Sequence, residues 1–247
     1  MVSPYFHDSS LIRAWALAAR RLATSHSTEF VWTVSCGVEW QPTAKNLRAL
    51  DNAARHRSWE RPSSVSEMIL PAACDQPGLS AEEAIERGLT MLARARKKGA
   101  RFSGWNHTYF ERMVGQWIDK KGTRRQFRSN KLLSVIQKRN EWGQNAESAF
   151  YIHIPLDSEG FRTRGGPCLQ YVQLRSHGEN LLDIIGLYRA HDYGKKALGN
   201  LIGLDRLGRF VARHTGTRLN GATVVSLHPF VDHKARLLTF ANDVAPQ

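Results

Sequence analysis

Gly165-Gly166-Pro167-Cys168-Leu169-Gln170-Tyr171-Val172-Gln173-Leu174-Arg175 is the stretch from which the fold is read. Two glycines and a proline stop a loop, and a run of apolar and aromatic residues begins at once, as expected where a strand starts. Leu181 to Arg189 is a second such run, and Ala149 to Ile154 and Thr223 to Leu227 are further short ones bounded by turn residues. Cys168 therefore stands at a corner between loop and strand, where a nucleophile can be held. Arg189 and Asp192 follow at the end of the next strand.

Working outward, the period changes from strand to helix. Leu11 to Leu22 carries apolar residues at helical spacing behind Ser9 and Ser10, which can cap a first turn. Ser80 and Glu83 form a capping box for a helix running to about Lys98. Helices are also expected over His107 to Ile118, Asn130 to Arg139, and Gly203 to His214, where Leu204, Leu207, Phe210 and Val211 share a face before Gly216. Thr28 to Glu39 puts Phe30, Trp32, Val34 and Cys36 on one face at period two, so a half-buried strand is expected with Cys36 as a packing residue. These elements predict an α+β layered fold, a mixed β-sheet flanked by helices. With no internal repeat or linker, residues 1–247 read as a single domain.

Composition narrows the function classes. The chain has 247 residues, 42% of them hydrophobic, enough for a well-buried core. Three cysteines without paired spacing argue against a disulfide framework and against a metal site of clustered Cys and His, and they fit a reducing compartment. Arg13, Arg20 and Arg21 interrupt the first apolar run, and no later run is long enough to span a bilayer, so a cytoplasmic protein without a membrane partner is expected. A formal charge of +13, with clusters at Arg94 to Lys98, Lys120 to Arg125 and Lys195-Lys196, suits an anionic partner such as a nucleotide, a polyanionic cofactor or nucleic acid.

The order Pro167-Cys168, Arg189-Ala190-His191-Asp192, Asn200 and Ser226-Leu227-His228-Pro229-Phe230 resembles the thymidylate synthase and pyrimidine hydroxymethylase family over the C-terminal half. There a Pro-Cys carries the nucleophile, Arg-Ser-x-Asp lies on the next strand, an asparagine opens a helix, and Ser-Ala-His-Ile-Tyr lies on a later strand. Tyr109-Phe-Glu-Arg112 and Asn130-Lys-Leu132 resemble weaker landmarks, and Glu67 sits where the family has a catalytic glutamate. The resemblance implies a thymidylate synthase-like fold, a homodimer packed sheet to sheet, and 5,10-methylenetetrahydrofolate as donor. It implies one-carbon transfer, methylation or hydroxymethylation, to carbon 5 of a uracil-type pyrimidine nucleotide or nucleoside.

The residue types suit that chemistry. Carbon 5 of uracil becomes nucleophilic only after a soft thiolate adds at carbon 6, and Cys168 would supply that thiolate. Arg189 beside it would favour the anion and bind an anionic group. Asn200 both donates and accepts, as the N3–H and O4 edge of uracil requires. Asp192 would accept a hydrogen bond from the ring or from water, His228 would bind a sugar hydroxyl or move a proton, and Glu67 would organise water at a ring carbonyl. Tyr109 joins them as a substrate-binding candidate.

The chain departs from the family in particular places. Asn145-Ala-Glu-Ser148 stands where a Ser-Arg-Arg motif binds phosphate across the dimer, Ala190 replaces the serine beside the arginine, and Phe230 replaces a tyrosine. These changes imply an altered or absent 5′-phosphate, or another cluster such as Arg124 and Arg125 in its place. Ala245-Pro-Gln247 does not match the tail that closes over folate, and hydroxymethyl transfer needs less of that machinery than methyl transfer. Two other classes stay open: a binding or regulatory protein that keeps the fold without the reaction, and a nucleic-acid-binding protein.

Overall fold

A computed structural model describes residues 4–25, 31–37, 43–100, 107–143, 150–156, 159, 166–177 and 180–246. The chain enters along β1 (Tyr5–Asp8), turns where Asp8 Oδ1 accepts the Ser10 N–H, and continues into α1 (Leu11–Thr24) and β2 (Trp32–Gly37). Helices α2 (Ala44–Arg55) and α3 (Pro62–Ser66) and a 3₁₀ turn (Ala72–Cys74) lead to α4 (Ala81–Lys97) and α5 (Tyr109–Val114). A hairpin of β3 (Gln116–Ile118) and β4 (Arg124–Gln126) precedes α6 (Lys131–Trp142). Then come β5 (Tyr151–His153), β6 (Leu169–His177), β7 (Leu181–Tyr188), β8 (His191–Asp192), α7 (Ala197–His214), β9 (Arg218–Ser226), β10 (Pro229–Phe230) and α8 (Lys234–Val244).

Six strands form one mixed sheet in the order β1-β2-β9-β7-β6-β5. The outer pair β1/β2 and the central pair β9/β7 are parallel, and the other neighbours are antiparallel. Strict alternation along β7 buries Leu182, Ile184, Gly186 and Tyr188 and leaves Leu181, Asp183, Ile185 and Leu187 half-buried. One face of the sheet thus meets the helices, with α7 packed across β7 and β9. The mixed sheet with helices against it accords with the α+β layering expected. Trp32, Val34 and Cys36 of β2 point inward as their spacing predicts, Cys36 Sγ donating to Ala222 O at 3.4 Å; Phe30 lies outside the described residues.

Local signals set several helix ends. Ser80 and Glu83 close both bonds of the expected capping box, and Asn130 caps α6 by accepting from the Leu133 N–H at 2.9 Å. Ser10 occupies the N-cap of α1 without a side-chain bond.

Two expectations need correction. The helix expected over His107 to Ile118 stops at Val114, because Gly115 adopts a left-handed conformation with φ +71°. A Cβ at Gly115 would lie 2.3 Å from Arg128 O, so only glycine admits this turn into β3. The helix expected from Gly203 begins at Ala197 instead. Gly199 and Gly203 weaken the local helical signal, yet each lets α3 approach: a Cβ would lie 2.6 Å from Val65 Cβ and 3.0 Å from Ser66 O respectively. Tertiary packing of α3 on α7 outweighs the roughly 1 kcal/mol that each glycine costs a helix.

The short helix α5 is anchored by charge. Glu111 accepts from the N–H and hydroxyl of Thr108, closing a second capping box, and receives both guanidinium nitrogens of Arg96 from α4. Both Glu111 and Arg96 are buried, so neither charge has water to fall back on. Replacing Glu111 with alanine should lower stability by about 3–5 kcal/mol by taking the carboxylate partner from a buried guanidinium. Asp243→Ala, which breaks an ion pair to Arg57 with a half-exposed carboxylate, should cost less than about 1 kcal/mol. Urea unfolding midpoints compare the two, and equal losses would contradict this account.

Candidate active site

The antiparallel register of β6 against β7 sets Leu169 opposite Tyr188, and the Arg189 N–H donates to Cys168 O at 2.9 Å. Just after Cys168 the ladder shifts register between Leu169 and Tyr171, a bulge of the kind that re-aims side chains at strand ends. The Arg189 guanidinium hydrogen-bonds the Cys168 side chain and also donates to Gly166 O at 3.3 Å. Gly166 holds φ +93°, and a Cβ there would press on Arg189 Nη2 at 3.1 Å, so glycine makes room for the cation beside the thiol. Tyr109, first residue of α5, accepts the Leu169 N–H at 3.4 Å with its hydroxyl oxygen.

Opposing effects meet at the thiol. Burial raises the pKa of Cys168, while the charges of Arg189 and Lys196 and the bond to Arg189 lower it, and Asp192 raises it. Burial wins, so the thiol of the free protein titrates above its usual range even though Arg189 acts in the expected direction. Burial pushes the Tyr109 phenol up to about 12, with the Cys168 charge adding to it.

Asp192 turns the chain into α7. Its Oδ1 accepts the N–H groups of Gly194 and Lys195 at 3.0 and 3.1 Å, and Lys195 Nζ stands 3.9 Å from Oδ2. Burial raises its pKa, and the bond and charge from Lys195 offset part of that rise. Asn200 lies within the first turns of α7 and is 3% exposed. Its Nδ2 is 3.0 Å from His191 Nε2, and His191 Nδ1 is 2.9 Å from Ser226 Oγ. Among the described residues no bond to Asn200 Oδ1 occurs, which leaves that oxygen and one amide proton for a ligand.

His228 is exposed, its carbonyl accepts the His191 N–H at 2.9 Å, and its ring stacks near Phe230. β8 and β10 pair in parallel, which brings His191 and Asp192 beside Pro229 and Phe230. Glu67 is tied elsewhere among its described contacts: Oε1 accepts from Arg206 on α7 at 2.8 Å and Oε2 from the Ala72 N–H at 2.9 Å. The fold therefore gathers Cys168, Arg189 and Tyr109 directly and links Asp192, Asn200 and His228 through β8. Glu67 joins α3 to α7 instead.

Three residues were missed from the sequence. Lys196 acts electrostatically on Cys168 and pairs with Glu60; the Lys195-Lys196 cluster was visible but carried no direction. His191 is a buried link between strand ends, inside the very Arg-x-x-Asp motif that drew attention. Tyr188 is fully buried, stacks on His191 at 4.1 Å between ring centres, and its hydroxyl has no hydrogen-bond partner among the described residues. Its pKa is raised by burial, then by the charges of Tyr109 and Cys168, so it lies within electrostatic reach of the thiol. A buried hydroxyl without a partner is costly, and a ligand atom or water at that point would relieve it.

Other expectations fall outside this cluster. Arg124 pairs with Glu86 in the wall of a cavity of about 980 Å³ that includes Glu82, Arg87 and Arg94 and none of the residues above. Arg125 is largely exposed, 3.8 Å from Asp119. Asn145 to Ser148 lie outside the described residues. No group of His, Cys, Asp and Glu among the described residues is arranged to hold a metal ion, and no described helix is long and apolar enough to cross a membrane.

The chain is 28% identical over 131 residues to a Methanopyrus kandleri protein named "Putative thymidylate synthase". The aligned region is 52% of this chain and 56% of that protein, so the match spans about half of each. No protein-family model matches the chain.

The three cysteines differ sharply in environment. Burial pushes Cys36 and Cys74 up to about 12, and both are enclosed, whereas Cys168 is partly accessible. Iodoacetamide at pH 8 should label the folded protein at Cys168 alone, as read by peptide mass spectrometry. Arg189→Ala and Lys196→Met each remove a cation that stabilises the thiolate, so each should shift the alkylation midpoint to higher pH. A downward shift would contradict the arrangement.

Proposed function

We propose that the protein transfers a one-carbon unit to carbon 5 of a uracil-type pyrimidine nucleotide or nucleoside, with Cys168 as nucleophile. The observation that carries this reading is the strand-end pairing of Cys168 with Arg189, with the Tyr109 oxygen on the next N–H of the strand; the orphaned Tyr188 hydroxyl and the open edge of Asn200, both joined to His191, are the polar groups left for a ligand. The partial likeness to the Methanopyrus kandleri protein supports the same class.

The thiolate of Cys168 adds to carbon 6, forming the S–C6 bond and moving the ring's electrons onto O4. Asn200 holds the N3–H and O4 edge, where the growing charge collects. Carbon 5, made electron-rich by that addition, is the atom that would take up the one-carbon unit; its proton would pass to a base as the S–C6 bond breaks and returns the thiolate. Tyr109 lies at the backbone beside Cys168, within the proton-handling region. Arg189 and Lys196 supply positive charge that steadies the thiolate and attracts an anionic substrate. The donor implied is 5,10-methylenetetrahydrofolate, which when bound supplies carbon at the oxidation level of formaldehyde.

A homodimer is part of this reading. The face of the sheet turned away from the helices carries Tyr171, Ile185, Leu187 and Val225, half-buried, and Tyr151, 48% exposed and stacked on Tyr171. A partner's identical face would cover these groups. Sedimentation should give a dimer, and Ile185→Lys with Leu187→Lys should give a folded monomer; a wild-type monomer at micromolar concentration would remove this element.

The raised thiol pKa of the free protein favours a second reading, a protein that binds such a ligand without turnover. Solvent exchange of the carbon 5 hydrogen separates the two, using uracil, uridine and their monophosphates with and without the folate. Exchange is expected in wild type and lost at least about 10²-fold in Cys168→Ala, the scale of removing a covalent step. Binding without exchange would favour the second reading. Cys168→Ala at full activity would remove covalent catalysis, and salt-steep binding to single strands alone would favour a nucleic-acid-binding protein.

A further inference from the structure

His191 and Ser226 remain unexplained by this chemistry. Both are buried, at 2% and 0% exposure, and both connect to Asn200 rather than to the thiol. The His191 ring has little freedom. It stacks parallel to Tyr188 at 2° between planes, meets the edge of Tyr193 at 5.4 Å, and its backbone N–H is bonded to His228 O. Burial holds its pKa down to about 3, so the ring is neutral.

A neutral imidazole has one N–H and one acceptor nitrogen. With Nε2 accepting from Asn200 Nδ2, Nδ1 carries the proton and donates to Ser226 Oγ. Turning the Asn200 amide over would set Oδ1 against Nε2, acceptor against acceptor. It would then require the imidazole proton to move to Nε2 and the Ser226 hydroxyl to turn and donate to Nδ1 in place of accepting from it, with Tyr193 Oη, 3.4 Å from Ser226 Oγ, left as donor in that contact. The direction of the amide matters because its two ends are nearly the same shape and opposite in chemistry. An asparagine free to turn can match N3–H with O4, or the N3 acceptor with a 4-amino group, and so reads neither ring selectively.

We propose that His191, held by Ser226, is a positioning residue that fixes the Asn200 amide in one orientation, so that the site accepts a ring bearing N3–H and O4 and rejects its 4-amino counterpart. This deepens the pyrimidine reading above and rests on it for the identity of the ring. Selection by an unpaired buried group is steep: a ligand with the wrong edge would leave both Asn200 and its own polar atoms unsatisfied. His191 touches neither the ring nor the thiol in this scheme and acts through Asn200 alone.

Two measurements test it. In protein labelled with ¹⁵N histidine, the His191 ring should be a single Nδ1–H tautomer with an unprotonated Nε2 from pH 5 to 8. Averaged tautomers, or the Nε2–H form, would overturn the proposal. In carbon 5 exchange, the preference for uridine over cytidine, and for the corresponding monophosphates, should fall at least about tenfold in His191→Phe, which keeps the stack on Tyr188 and loses both hydrogen bonds. Ser226→Ala, a deletion of one oxygen, should move the ratio the same way and serves if His191→Phe does not fold. A rate that drops equally for both rings in the folded variants would mark a structural role only and overturn the proposal. If wild-type protein exchanges none of these compounds, the pyrimidine reading falls, while the tautomer still decides whether His191 orients Asn200.

Discussion

The antiparallel register between β6 and β7 is the constraint on which the candidate site depends. It sets Cys168 against Arg189 through a backbone bond, and the cation reaches the thiol only because that bond fixes where each residue leaves its strand. A slip of one residue would invert the faces of the whole strand, exposing Leu182 and Ile184 and burying Asp183. The hydrophobic alternation that buries the core therefore also holds the site in register. The bulge after Leu169 is a local exception to that ladder, and it falls beside Cys168.

Around this pair the protein sets burial against charge. Cys168 is drawn from water far enough that its thiol is favoured over thiolate, while Arg189 and Lys196 oppose that preference. Asp192 adds a like-signed charge, yet one of its oxygens is already bonded to the turn that starts α7. A layer deeper, the polar groups of Ser226, His191 and Asn200 satisfy one another in a chain that ties β9, β8 and α7 together. Tyr188 is the exception, with its ring stacked on His191 and its hydroxyl unpartnered. Such an imbalance within reach of the Cys168 thiol is where a ligand's polar atom would gain most.

Support for this arrangement comes from helices whose own signals are modest. α5 has six residues and would not persist alone; the buried Arg96–Glu111 pair and its capping box hold Tyr109 where the hydroxyl reaches β6. α7 carries two glycines in its first two turns, and α3 packs into the space they leave. Glu67 then bonds Arg206 across that same contact, which explains its position without reference to the thiol.

Local pattern made much of this legible. The period-two run of β2, the apolar runs of β6, β7 and β9 and the capping box of α4 are written within a few residues of each other, and each was readable because its physics is short-ranged. Cys168, Arg189 and Asp192 stood out for the same reason, as chemistry-bearing residues at strand ends. The early start of α7 and the stop of α5 were not legible, since one depends on α3 filling the glycine gaps and the other on a left-handed Gly115 against Arg128. The sequence by itself determined the main strands β2, β6, β7 and β9, the helices α1, α4 and α6, and which side chains could do chemistry. Only the tertiary structure decided that Lys196 acts on Cys168, that His191 joins Ser226 to Asn200 across 35 and 9 residues of chain, and that Glu67 faces Arg206. Charge, stacking and hydrogen bonding act through space over a few ångströms, and distance along the chain carries no record of them.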